Sequence, residues 1–435
     1  MAVPRVNPSP TSDNPTPRGG VLIQLNLTGL IFFGAALVAV SVLVTRGLIS
    51  FQAPGDSPPA GARDARISSA SATSAIPKQK NPPPWGQLVV CDIELEQPEE
   101  FLAYEADTNK AATWTFESMT PEAVRSLMQT CGMAPKEIDR ALSPPLLKFA
   151  GPNTVVAPDD ELVFSLSPRT RAKLYGALGR YGSNRLMQFP FVLVGNSADA
   201  KFAGSQLDDA VLASLRKLLY PRGHSECFSD LEIMLRRLPG EAERVLFLKT
   251  ISRQSAVMAR LQIWPDTDID KLIGYWGRGV QEKDIRPLLE SLKRAPGGAS
   301  ISLLYLLPPF ARQRLYTYPE PSFAGDLAMD CHWSTMNFFN GNPDNRFADP
   351  QYTVAYLQTN CYKIAKANAY GDIIFLLNPD GNAIHSAVYL ADNIVFTKNG
   401  NNSAQPWMLM HLKDLVAKYT TDTAPPVAVY RKKNW

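Results

Sequence analysis

The sequence predicts an α+β protein in three parts: an N-terminal transmembrane helix, a mostly helical middle domain, and a C-terminal domain where a cysteine-bearing helix precedes an antiparallel sheet. Three observations predict this. Residues 21–44 form an apolar run without a charge, and residues 207–307 carry repeated apolar faces of period 3.6. Residues 371–399 hold three short apolar runs separated by Asn, Asp and Gly turn residues.

The run Val21–Val44 is interrupted only by Gln24, Asn26, Thr28 and Ser41 among its larger polar residues. At about 1.5 Å per residue it would cross a hydrocarbon core of roughly 30 Å. It is too long for a signal-peptide core, and no small-x-small cleavage site follows directly, so it reads as an uncleaved signal anchor. Arg5 and Arg18 precede it while Arg46, Arg63 and Arg66 follow, so charge alone does not orient it. Residues 1–20 are then a short arm and residues 45–84, rich in Pro, Ala and Ser, a linker.

A net charge of +3 over 435 residues predicts neither a nucleic-acid footprint nor an acidic partner. Five cysteines, at 91, 131, 227, 331 and 361, are too scattered for a disulfide framework.

Residues 85–310 are assigned to the mostly helical domain. Thr120-Pro121-Glu122 is an N-cap with Pro at the first helical position, and Val124, Leu127, Met128 and Cys131 form a stripe ending at Gly132. Glu161–Leu166 alternates like a strand, Ser167-Pro168 opens a helix to about Arg180, and Phe189-Pro190-Phe191 suggests an edge strand or extended segment. Helical faces then dominate, in LDDAVLASLRKLLY, FSDLEIMLRRL, GEAERVLFLKTISRQSAVMARL and EKDIRPLLESLKRA. Asp266, Asp268 and Asp270 resemble a calcium loop only until Lys271, which stands where that loop needs Gly. His224-Ser-Glu-Cys227 is half a zinc site without a partner pair.

Residues 311–435 carry the chemistry. In MDCHWSTMNFFN, Asp330 is a good N-cap and Cys331 falls in the first turn of a helix, where the dipole favours thiolate. A second helix spans Gln351 to about Ala367. The runs 371–377, 383–390 and 394–399 make a meander, followed by a helix from Trp407 to Tyr419 and a closing strand, Pro426–Tyr430. Thiol catalysis needs a base within reach, a group orienting that base, and oxyanion donors. His332 adjoins Cys331, but neighbouring side chains on a helix diverge by about 100°, so it is a poor partner. His385, at the start of a strand, is the better one, and His411 sits in an apolar stretch that suggests packing.

With these residues in place, the last 120 or so positions resemble the NlpC family of papain-like cysteine peptidases, which act on peptide stems of bacterial cell walls. Tyr318, Asp330-Cys331, Tyr370-Gly371-Asp372-Ile373-Ile374-Phe375 and His385-Ser-Ala-Val-Tyr-Leu390 follow the family's order. His332-Trp333 stands where the family has Ser-Gly. The family's third polar group lies about twelve residues past the base, which lands on Thr397; Asn399 shares that strand face and is preferred, because its amide oxygen can accept from the imidazole. Lys398 points to the other face.

The resemblance implies a papain-like fold and a catalytic set of Cys331, His385, Asn399 and Tyr318, with no metal or cofactor. Cys331 would attack an amide carbonyl and His385 would protonate the leaving amine. The Tyr318 hydroxyl and the Cys331 N–H would hold the oxyanion, and water activated by His385 would release the thioacyl intermediate. The expected substrate is a peptidoglycan stem peptide or another envelope amide. The expected location is the inner membrane, single-pass through residues 21–44, with the C-terminal domains extracytoplasmic and no nucleic-acid partner. A non-catalytic envelope scaffold, and a thiol acyltransferase or lipid-ester hydrolase, are the alternatives.

Overall fold

Helix α1 (Pro121–Cys131) shows how directly some local signals are obeyed. The Thr120 hydroxyl accepts the Ala123 N–H, Pro121 occupies the first turn, and Gly132 closes the helix at φ 91°, a left-handed value natural only to glycine. Val124, Met128 and Cys131 are its buried stripe. Helix α2 (Asp160–Ser165) goes against the alternation expected of a strand. Asp159 accepts the Leu162 N–H and two further acids fill the first turn, so capping and dipole compensation prevail over a six-residue pattern.

The computed structural model describes residues 78–435 except 100–101, 103–110, 194–196, 280, 320–328, 401–403, 422 and 434–435. These residues make a mixed α/β fold with fifteen α-helices and four antiparallel sheets. The expected fold is corrected in two respects. No helix among the described residues is long and apolar enough to cross a membrane, and the run 21–44 lies outside them.

The described region before residue 310 is also mixed rather than simply helical, because nine strands run among its helices. These are β1 (Gln87–Leu95), β2 (Trp114–Phe116), β3 (Leu147–Ala150), β4 (Asn153–Val156), β5 (Phe191–Leu193), β6 (Tyr220–Arg222), β7 (Ser225–Phe228), β8 (Gln254–Ile263) and β9 (Ala299–Ser302). They pair in three sheets of three, ordered β1-β8-β9, β2-β4-β3 and β5-β7-β6. Most are three or four residues long, too short for a period of two to show in sequence. The long apolar stretch ending at Leu261 divides at Arg253: a helix, Glu241–Ser252, comes first, and β8 follows.

The fourth sheet has six strands: β10 (Cys361–Ile364), β11 (Ile373–Leu377), β12 (Ala383–Ala391), β13 (Ile394–Lys398), β14 (Trp407–His411) and β15 (Val427–Lys432), ordered β10-β15-β11-β12-β13-β14. Three helices accompany it: α3 (Cys331–Met336), α4 (Pro350–Asn360) and α5 (Leu412–Tyr419). Both faces of the sheet are covered. Ile373, Phe375, Val388, Leu390, Ile394 and Phe396 join a core with Trp333 and Met336 of α3. On the opposite face Ile374, Leu376, Ala387, Tyr389 and Val395 pack with Leu415 of α5. The α3-side core continues through Val257, Ile263 and Trp276, so one apolar interior crosses residue 310. All five cysteines are free thiols.

Candidate active site

Cys331 opens α3, and Asp330 caps that helix by accepting the Trp333 N–H at 2.8 Å. The helix is held down by its own polar residues. The Ser386 hydroxyl of β12 donates to the Cys331 carbonyl at 3.2 Å and shares a hydrogen bond with His332 Nδ1 at 3.0 Å. The Trp407 indole N–H donates to Ser334 at 2.8 Å. His332, a poor partner for the thiol by helix geometry, is thus a half-buried clamp whose ring stacks on Phe375. Burial lowers its pKa.

The thiol itself is 5% exposed. Burial first, then the Asp330 carboxylate, pushes it up to about 12. Hydrogen bonds from the Ser386 and His332 backbone and the charge of Lys398 pull the other way without prevailing. The thiolate expected from the helix terminus is therefore not the resting species, because α3 is only six residues long and desolvation outweighs its dipole.

His385 is fully buried on β12. Its Nε2 shares a 2.8 Å hydrogen bond with Thr397 Oγ1 of β13, and its ring stacks on Tyr419 of α5 with centroids 4.3 Å apart. Nδ1 has no hydrogen-bond partner. Burial, with help from His332 and Lys418, holds its pKa well below the usual histidine value, so the imidazole is neutral near pH 7.

Thr397, twelve residues past His385, is therefore the residue that fixes the ring. Asn399 is not: its amide donates to the Met410 sulfur at 3.4 Å, and its carbonyl oxygen has no hydrogen-bond partner. Tyr318 donates its hydroxyl to the Leu95 carbonyl of β1 at 3.4 Å, and burial raises its pKa. Thr397→Val is expected to strip a buried imidazole of its partner and to cost about 1–3 kcal/mol. Urea unfolding at constant m measures the loss, and a change below a few tenths would show that the ring is fixed by Tyr419 alone.

Lys398, read as pointing away, is wholly buried. Its Nζ donates to the Gly400 carbonyl at 2.8 Å and lies 5.8 Å from the centroid of Trp407, the ring that also holds Ser334. Burial lowers it to about 8, while Cys331 and Asp330 draw it back up. The matching Gly-Asp element is structural. Asp372 is buried, accepts the Asn368 and Ala369 N–H groups at 2.9 Å each, and pairs with Arg431 at 2.7 Å.

Comparison with protein-family models, with curated proteins and with solved structures finds no match to this chain. What the chain does is therefore argued from these side chains alone, together with the motif resemblance.

Proposed function

We propose that the chain is a cysteine hydrolase of peptide or amide bonds with Cys331 as nucleophile. One observation carries this reading. The residue next to Ser386, which bonds the Cys331 turn, is a histidine fixed at Nε2 by Thr397 with Nδ1 left open. A purely packing histidine would satisfy both nitrogens, since an unpaired buried one costs about 1–3 kcal/mol. In this reading the sulfur attacks the carbonyl carbon, the thiol proton leaves with the amine, and water hydrolyses the thioester. The motif resemblance makes a cell-wall stem peptide the first substrate to try.

A second reading, a non-catalytic protein on the same scaffold, is favoured by the burial of both groups. A thiol 5% exposed and pushed to about 12 is a poor nucleophile at rest. Catalysis then requires substrate, or a shift of Tyr419 from the His385 ring, to open the site.

Incubating the whole chain with purified peptidoglycan and reading newly released amines tests the first reading. Release that is lost in Cys331→Ala and in His385→Ala supports it. No release, together with a Cys331 that resists iodoacetamide in the native protein, leaves the second.

A further inference from the structure

Helix α5 ends at Tyr419, the ring stacked on His385, and it is held by parts of the chain outside the six-stranded sheet. Leu415 packs the helix against that sheet. The same apolar cluster takes in Ile93 and Leu95 of β1 and Ala256 of β8. Polar contacts to these two strands lie at both ends of the helix. At its start, His411 Nε2 stands 3.7 Å from the Asp92 carboxylate of β1. Near its end, Lys418 donates to Gln254 Oε1 of β8 at 3.0 Å.

The tightest approach is at the last turn. Strands β6 and β7 are joined by the two-residue turn Gly223-His224, with Gly223 at φ 59°. A Cβ placed on Gly223 would come within 2.7 Å of Thr420 Cγ2 and 2.9 Å of the Thr421 carbonyl oxygen. The turn therefore lies directly against the residues that follow Tyr419. The Thr420 hydroxyl donates to the Val416 carbonyl at 2.8 Å, so a displacement of Thr420 is passed to the helix. Beneath the Tyr419 ring His385 is fully buried, while Tyr419 itself keeps part of its surface exposed.

We propose that the region before residue 310 is an inhibitory module: β1, β8 and the turn at Gly223 hold α5 where Tyr419 covers His385, and the imidazole becomes available when that hold is released. This rests on the reading of Cys331 and His385 as catalytic residues and says what keeps the histidine idle. The covered state leaves Nδ1 of a buried imidazole unpaired, which is unfavourable in itself. Contacts elsewhere must therefore stabilise it, and those on α5 come from sheets other than the one that carries His385. The hold is separable from the fold of the site.

The test uses the whole chain and follows His385 directly, by its carbethoxylation with diethyl pyrocarbonate. His224, which is exposed, is the internal reference. In the wild type His385 should react far more slowly than His224. Gly223→Ala drives a methyl group into Thr420 and the Thr421 carbonyl without touching the site. It should speed His385 modification roughly tenfold or more, since reaction through local opening follows the open population. Gln254→Ala removes the partner of Lys418 and leaves the turn intact. It should act in the same direction, and it carries the test if Gly223→Ala does not fold. Tyr419→Ala sets the upper limit. The second readout is amine release from purified peptidoglycan. Release should rise in every variant that uncovers His385 and vanish when Cys331→Ala is added.

Modification that is fast only in Tyr419→Ala, with Gly223→Ala and Gln254→Ala at the wild-type rate, would overturn the proposal, because the cover would then be local. Wild-type release that does not rise when His385 is uncovered would overturn it too and leave the hydrolase reading standing. No release from any of the proteins, the uncovered variants included, would remove the hydrolase reading and the inhibition with it.

Discussion

Asp372→Ala is expected to lower stability by about 3–5 kcal/mol, because it breaks a buried pair and orphans two backbone donors at once. The carboxylate is completely buried and receives four hydrogen bonds, two from the Asn368 and Ala369 N–H groups and two from Arg431. Arg431 retains some exposure and can turn to water, so most of the penalty falls on the loop. Gly371, at φ 91°, sets that loop's turn just before β11.

The consequence reaches the site through register. β11 pairs with β12 so that Leu376 stands opposite His385, and Phe375 opposite Ser386. Loosening residues 368–372 frees the start of the strand that sets where His385 and Ser386 stand. Asp372→Asn should lose less, since its amide oxygen still accepts from the backbone. Equilibrium unfolding in urea measures both, and a loss under about 1 kcal/mol in Asp372→Ala would mean that Arg431 and the loop are held by other contacts.

The parts of this structure that could be read in the sequence are those set by local chemistry. Thr120-Pro121 and Gly132 bound a helix because capping acts within four residues. Asp330 caps α3 for the same reason, and Asp268 caps the helix Ile269–Trp276 where acids might have suggested calcium. The meander was legible because its strands have five to nine residues and Asn- or Gly-bearing turns. The strands before residue 310 were not, because most are very short and their pairing depends on partners far along the chain. β1, for example, is completed by β8, with Cys91 opposite Met258. Trp407–His411 was taken for the start of a helix and is instead β14, since its register with Ile394–Lys398 is a tertiary choice.

The site divides along the same line. Position twelve past His385 pointed to Thr397, and the argument for Asn399 rested on acceptor chemistry alone. The two share a strand face, so alternation could not separate them; distance along the strand did. The burial of Cys331 could not be read locally, because it depends on the docking of α3 against β12, some 55 residues along the chain. Alternation did separate Lys398 from Thr397, but it was used to dismiss the lysine. The lysine is instead buried beside Trp407, whose indole N–H is bonded to Ser334 of α3.

The largest pH-dependent effect is expected away from the site, at Arg171. This guanidinium is wholly buried in the helix Pro168–Leu178 and donates to the Val163 carbonyl at 2.6 Å and the Lys217 carbonyl at 2.9 Å. Its Nε stands 3.4 Å from Asp230, whose other oxygen accepts the Tyr175 hydroxyl. Burial raises Asp230 to about 6 even with Arg171 beside it. In the unfolded chain the same carboxyl sits near about 4. Between these values the folded protein holds the extra proton, so stability falls as pH rises from 4 to 6 and then levels off.

Arg171→Met removes the charge that restrains Asp230 and strands two carbonyls. About 3–5 kcal/mol should be lost at pH 7. The folded pKa of Asp230 should climb further, so the decline with pH continues above 6 instead of levelling. The double variant Arg171→Met/Asp230→Leu should recover part of the loss and restore a flat profile near neutrality, because no unpaired charge is left inside. Urea unfolding at pH 5, 6, 7 and 8 for the three proteins decides it. If the single variant were no more pH-sensitive than the wild type, the buried pair would not be the origin of the slope. The ionisation of Asp230 would then be balanced by the Tyr175 hydroxyl rather than by the arginine.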